Sequence, residues 1–150
     1  MNEELLYTMA LTRLPGIGLI GAHRLIEAVG SATTIFREVS NLKDIVPDIS
    51  NKVIEIIQKH DVLRLCEAEI RFAEKNNITC LTINDENYPS RLRECDDAPL
   101  LLFYKGTANL NNLHVINLVG TRHATDYGKD ICQRFIKELC EIMPDTLIIS

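Results

Sequence analysis

Residues 115–150 read VINLVGTRHATDYGKDICQRFIKELCEIMPDTLIIS, and the rhythm of apolar residues changes twice along this stretch. VINLV (115–119) and TLIIS (146–150) are short, almost unbroken apolar runs, the pattern of strands covered on both faces. Between them Ile131, Phe135, Leu139 and Ile142 recur at three- and four-residue spacing, which predicts a helix over about 125–142. Strand, helix, strand is a βαβ unit, and its crossover lays the two strands parallel.

Upstream, ITCLTI (78–83) and LLLFY (100–104) are also strand-like, bounded by Asn, Pro or Gly, and the stretch 77–150 reads as α/β with a parallel sheet. Residues 1–76 carry helical spacing almost throughout. Leu5, Leu6, Met9 and Ala10 form one stripe that ends at Leu14-Pro15-Gly16. Ala22, Leu25, Ile26 and Val29 form a second that Gly30 stops, and Ser31 caps a third, short helix. Ser40 reads as the cap of another short helix ending before Pro47. From Ser50 one or two helices follow, with a break near Lys59-His60-Asp61. The expected fold class is therefore α+β overall, a helical domain over 1–76 followed by an α/β domain over 77–150. A parallel sheet needs further strands to cover the last one, so the sequence reads as the front part of a longer protein.

Composition narrows the function. The chain has 150 residues, 46% hydrophobic and 25% charged, and no apolar run approaches the roughly 20 residues of a membrane helix. Two acids stand where a secretory signal would be basic. Five cysteines without a CxxC pair, and four scattered histidines, argue against a zinc site and for reduced, mostly buried thiols in a cytoplasmic protein. The net charge is −5: residues 1–60 hold 6 basic against 7 acidic side chains, and residues 61–150 hold 10 against 14. Neither part presents the broad positive field of a non-specific polyanion binder. DNA would have to be held by a few backbone amides and arginines.

Two motifs could do so. Leu14-Pro15-Gly16-Ile17-Gly18 lies between two amphipathic helices and resembles a helix-hairpin-helix. Gly16 and Gly18 permit the tight turn and leave free N–H groups at the next helix start, and Ile17 plugs the two helices together. Arg13 and Arg24 are the only cations nearby, so a plain connection between two helices is the favoured reading. The second motif, Gly120-Thr121-Arg122-His123-Ala124-Thr125-Asp126-Tyr127-Gly128, follows a strand and opens a helix. That places it at the carboxyl edge of the sheet, where open α/β sheets bind ligands. Arg122 offers a fork of donors suited to phosphate, and Thr125 can cap the helix or donate its hydroxyl. A Cβ on Gly120 would strain the turn or push a ligand away. The loop lacks both GxGxxG and GK[ST], which disfavours an NAD enzyme or an NTPase, and no cofactor is implied.

Across nearly its whole length the chain resembles the DprA (Smf) family of DNA-processing proteins. The blocks that carry the resemblance are Tyr88-Pro89, Leu92, Asp97-Ala98-Pro99 and Tyr104-Lys105-Gly106, then the G-[ST]-R-x-x-[ST]-x-Y-G pattern at Gly120–Gly128. The resemblance implies a helix-hairpin-helix or SAM-like bundle before a Rossmann-like domain. It also implies a non-enzymatic protein of natural transformation that binds and protects incoming single-stranded DNA and loads the RecA recombinase onto it. Phosphate binding would fall to Gly120, Thr121, Arg122 and Thr125, with Tyr127-Gly128 shaping the helix start; apart from the resemblance, the hairpin reading places a secondary DNA contact at Gly16, Ile17 and Gly18. The family's self-association into homodimers, its RecA contacts and a second glycine-rich turn lie beyond Ser150. Tyr88 is expected to pack rather than stack on a base, and Arg91 and Arg93 to face solvent or pair with Glu94, Asp96 and Asp97. The alternatives are a nucleotide-hydrolysing enzyme, for which His123 and Asp126 are the loop's only acid–base candidates, and a duplex binder working through the hairpin.

Overall fold

The computed structural model describes residues 2–58 and 61–150, which form two compact units, one up to Gly106 and one from Thr107 to Ser150. The first unit opens with α1 (Glu3–Arg13), α2 (Gly18–Val29) and α3 (Ala32–Arg37). Asn2 caps α1 by accepting from the Glu4 and Leu5 amides at 3.0 and 3.4 Å, and Glu3 and Glu4 sit at the positive end of its dipole. Helix α1 ends at Leu14, which is extended as a residue before proline tends to be. Gly30 ends α2 with φ +99° and donates to the Ile26 carbonyl at 2.7 Å, and Ser31 caps α3. A 3-10 turn (Val39–Asn41) then leads into α4 (Leu42–Ile45). Ser40 lies inside that turn and caps nothing; Asn41 holds the cap position of α4 without a side-chain hydrogen bond. Helices α5 (Asn51–Gln58) and α6 (Asp61–Lys75) follow, and the expected break falls on residues 59–60, outside the described residues.

These helices bury Met9, Ala10, Leu11, Ile35, Leu42, Ile57, Cys66 and Ile70 almost completely; of the stripes read from spacing, Leu6, Met9, Ala10, Ala22 and Leu25 are buried, while Leu5, Ile26 and Val29 pack half-buried against the core. Glu4 joins α1 to α3: its carboxylate accepts from the Ala32 and Thr33 amides at 2.8 and 3.0 Å and from the Thr33 hydroxyl at 2.6 Å. Burial works to raise the Glu4 pKa, but these bonds together outweigh it and hold the group below the ordinary carboxylate value. A depressed folded-state pKa contributes stability above the unfolded value that disappears as pH falls through the folded one. Glu4→Gln should therefore flatten the acid limb of the stability curve below about pH 4.3 and cost about 1 kcal/mol at neutral pH, the side chain being partly exposed. Urea unfolding from pH 7 to pH 2 checks this; an unchanged acid limb would refute the role.

After Asn77 (φ +54°) the chain enters β1 (Thr79–Thr82), the short α7 (Ser90–Arg93) and β2 (Leu101–Tyr104). β1 and β2 pair antiparallel, Thr79 opposite Tyr104 and Thr82 opposite Leu101, in a two-stranded sheet of their own. This corrects the expectation that they belong to a parallel sheet. The connection, residues 83–100, is long enough for a crossover, but it folds into turns around the single helical turn α7 and brings the chain back antiparallel. Contacts consequently group this ribbon with the helices, so the chain divides by packing later than it divides by periodicity.

The second unit is β3 (Val115–Asn117), α8 (Asp126–Ile142) and β4 (Leu147–Ile149). Its strands run parallel, Val115 opposite Leu147 and Asn117 opposite Ile149. The βαβ reading of this stretch stands, and with the helices it makes the chain α+β. No residue of α8 is buried, and Ile131, Phe135 and Ile142 of its apolar face are exposed. The cysteines also depart from expectation. Cys66 is buried, and burial pushes its thiol pKa up, but Cys95, Cys132 and Cys140 are exposed, the last two on α8. Among the described residues no helix is long and apolar enough to cross a membrane.

Candidate nucleic-acid interface

The loop from Gly120 to Thr125 leaves the sheet just past β3, where Leu118 still donates to the Ile149 carbonyl at 2.8 Å. Val119 and every residue from Gly120 to Asp130 are exposed. Thr121 donates its hydroxyl to the His123 carbonyl at 3.0 Å, which closes the backbone on either side of Arg122. Arg122 stands exposed, without a hydrogen-bond or ion-pair partner among the described residues. Thr125 is the N-cap of α8 and accepts from the Gly128 amide at 3.1 Å. A Cβ on Gly128 would meet the Thr125 hydroxyl at 3.3 Å, so the glycine keeps the cap relaxed. The cap is built as the Thr-x-x-Gly spacing allows, and Thr125→Ala should cost roughly 1 kcal/mol whereas Thr125→Asp should keep the helix. Helicity and thermal unfolding of the two variants decide; equal losses would deny the cap.

Gly120 corrects one expectation. Its φ is not in the left-handed region, and a Cβ there meets nothing within 4 Å. The turn does not need glycine, so a side chain at this position would obstruct only an approaching ligand.

Beside the loop lies a cavity of about 710 Å³. Its lining includes Gly120, Thr121, Thr125 and Gly128 with Leu118, Ala124, Ile131 and Phe135, but not Arg122. Four of the five loop residues read from sequence thus meet at one cavity and the fifth stands outside it. Lys129 also lines the cavity, with its ammonium 3.0 Å from Asp126. Sequence reading missed it, although a lysine four residues past the cap, on the first turns of the helix, is the available signal. His123 and Asp126 form no acid–base pair: Asp126 faces Lys129, and the His123 ring has no hydrogen-bond partner among the described residues.

The hairpin in the first unit has the backbone its sequence requires. Gly16 (φ +84°) and Gly18 (φ +64°) both occupy the left-handed region, and α2 begins without a side-chain cap. Ile17 is half-buried against the core, and a Cβ on Gly21 would meet it at 3.3 Å. Of the two nearby cations, Arg13 is already ion-paired with Glu69 on α6. Leu19 and Ile20, which follow the turn, are exposed and apolar. Arg24, by contrast, has no hydrogen-bond or ion-pair partner among the described residues.

The Tyr88–Pro99 block serves the fold. Tyr88 is fully buried and donates its hydroxyl to the Pro99 carbonyl at 2.6 Å, so it packs as expected, and burial raises its pKa. Arg93 is exposed, as expected, and its guanidinium also donates to the Ile83 and Asp85 carbonyls at 2.7 and 2.6 Å and covers the Tyr88 ring at 5.7 Å. The Asp85 carbonyl also accepts from the Tyr88 amide at 3.0 Å, so Arg93 adds a second donor to a folded turn instead of pairing with the acids downstream. His23 of α2 donates its Nε2–H to the Ala98 carbonyl at 2.6 Å and ties this block to the helices.

Residues 79–150 match the family described as DNA recombination-mediator protein A. Over 67 residues the chain is 36% identical to a protein of Bacillus subtilis (strain 168) named DNA processing protein DprA. That stretch is 44% of this chain and 23% of the relative, so the match spans about a quarter of the relative's length. No solved structure matches the chain.

Proposed function

We propose that this chain, which belongs through residues 79–150 to the DNA recombination-mediator protein A family, grips single-stranded DNA by its phosphates at the Gly120–Gly128 loop. In this reading residues 77–150 begin a Rossmann-like domain and residues 1–76 form a helix-hairpin-helix or SAM-like accessory bundle. The protein would act in the cytoplasm during natural transformation, where it protects incoming DNA and loads RecA without catalysing a reaction itself; homodimer formation belongs to the same reading.

The observation that carries it is Arg122: an exposed guanidinium without a partner among the described residues, past the carboxyl end of β3, beside a glycine open to close approach and the N-terminus of α8. A guanidinium fork and uncommitted loop amides suit phosphate oxygens. The hairpin is the weaker site because Arg13 is spent on Glu69.

The test measures binding of single-stranded and duplex DNA by fluorescence anisotropy, together with nucleotide hydrolysis. Single strands should bind with a marked salt dependence. Arg122→Ala should cost roughly 1.5–3 kcal/mol and lower the salt slope by about 0.7, one contact's share. Unchanged affinity in that variant would remove the loop from the interface. Hydrolysis that depends on His123 would favour an enzyme, and duplex binding lost with Gly16→Val and Gly18→Val would favour the hairpin.

A further inference from the structure

Helix α6 turns one side to the core, through Cys66, Ile70 and Ala73, and keeps apolar residues on the other. Leu65 and Phe72 are 66% and 61% exposed, and Ala68 between them is exposed as well. Single exposed apolar residues are ordinary on a protein surface. These three stand at i, i+3 and i+7, which lines them up along one side of the helix. That spacing is the a, d, a repeat of a helix-on-helix seam. In the same register Arg64 and Arg71 both take the flanking g position, and the other flank holds Val62 and Glu69. The two flanks therefore differ in charge. Glu69 is already paired with Arg13 of α1. Arg64 has no hydrogen-bond or ion-pair partner among the described residues. Arg71 is held by Glu67, one turn away at 3.2 Å, in a surface pair that solvent screens.

We infer that this face docks an acidic amphipathic helix of a partner protein, whose apolar side covers Leu65, Ala68 and Phe72 and whose carboxylates meet Arg64 and Arg71. A helix fits because the register extends over α6, 15 residues or about 22 Å, and an amphipathic helix reads such i, i+3, i+7 anchors. The small Ala68 between two large side chains leaves a recess for a partner leucine. A second copy of this chain fits worse. Antiparallel, two α6 helices set their arginine rows against each other; parallel, the arginines meet Val62 and the committed Glu69. A nucleic acid suits the face less still, since α6 holds four acids (Asp61, Glu67, Glu69, Glu74) against three bases (Arg64, Arg71, Lys75) and one aromatic ring.

The experiment titrates the full chain into two fluorescein-labelled helical peptides of three heptads, read by fluorescence anisotropy at near-physiological salt. Both peptides have a leucine seam and glutamine on one flank; the other flank carries glutamate in one and lysine in the other. The glutamate peptide should bind roughly tenfold or more tightly than the lysine peptide, which the arginines repel. Phe72→Ser and Leu65→Ser should each weaken that binding by roughly tenfold or more, as the loss of a central apolar anchor does. Both side chains are exposed, so the melting curves should not change. Arg64→Glu combined with Arg71→Glu should invert the preference between the peptides. The inference is overturned if neither peptide binds, if both bind equally, or if the two serine variants bind as the wild type does. Unfolding of both serine variants would also overturn it, since the two residues would then belong to the core. Loss of oligo-dT binding in Phe72→Ser would give the face to nucleic acid, and loss of a dimer seen in sedimentation would give it to a second copy; either result overturns the inference as well.

Discussion

Tyr88→Ala should cost the first unit roughly 3–5 kcal/mol, the range for deleting a fully buried aromatic side chain. Tyr88 is 0% exposed, and its ring underlies the Arg93 guanidinium. Its hydroxyl supplies the Pro99 carbonyl with a donor. Truncation opens a cavity, orphans that carbonyl and uncouples Arg93 from the ring. A loss of this size is a large fraction of a domain's whole stability. Tyr88→Phe, which keeps the ring, should cost only about 1–2 kcal/mol, the share of the hydroxyl and its stranded acceptor. Denaturant unfolding followed by far-ultraviolet circular dichroism reads both. A cost below about 1 kcal/mol for Tyr88→Ala would mean the ring is not part of the core. Because Tyr88 is buried, Tyr88→Phe should also bind single-stranded DNA as the wild type does; a large loss would assign the ring to the interface instead.

Gly120→Val should abolish DNA binding and leave both units folded. A Cβ at Gly120 meets no atom within 4 Å and the residue has no left-handed φ, so nothing in the chain resists a side chain there. A phosphate drawn to the loop amides would meet the two methyl groups of valine. The expected signature is a wild-type melting curve with binding reduced beyond detection. Gly120→Ala, with one methyl group, should fall between. Unimpaired binding in Gly120→Val would place the ligand elsewhere, whereas unfolding in that variant would show that the turn requires glycine after all. The contrast with Gly16 and Gly18 is instructive: their φ values of +84° and +64° make valine costly to the backbone itself.

The sequence by itself determined the elements whose causes are local. Helix α1 ends where proline forbids continuation, α2 where Gly30 can adopt φ +99°, and α8 begins where Thr125 can reach the Gly128 amide. The βαβ unit was legible for a similar reason: two apolar runs around one amphipathic helix admit few arrangements. The order of loop residues, and the grouping of Gly120, Thr121, Thr125 and Gly128 at one strand-to-helix turn, were legible with it.

What only the tertiary structure decided concerns partners far apart in the chain. Arg13 could have served a phosphate, but Glu69 on α6 takes it. Arg93 could have paired with Glu94 or Asp97 beside it, but the Ile83 and Asp85 carbonyls of a folded-back turn claim it. The β1–β2 ribbon is antiparallel although its connection is long enough to cross over, and Arg122 stands outside the cavity that its neighbours Thr121 and His123 line. Spacing along a chain encodes helix and strand, whose contacts lie within a few residues. The partner of a charged side chain is set by competition among all the donors and acceptors that folding brings within reach, and that competition has no local trace.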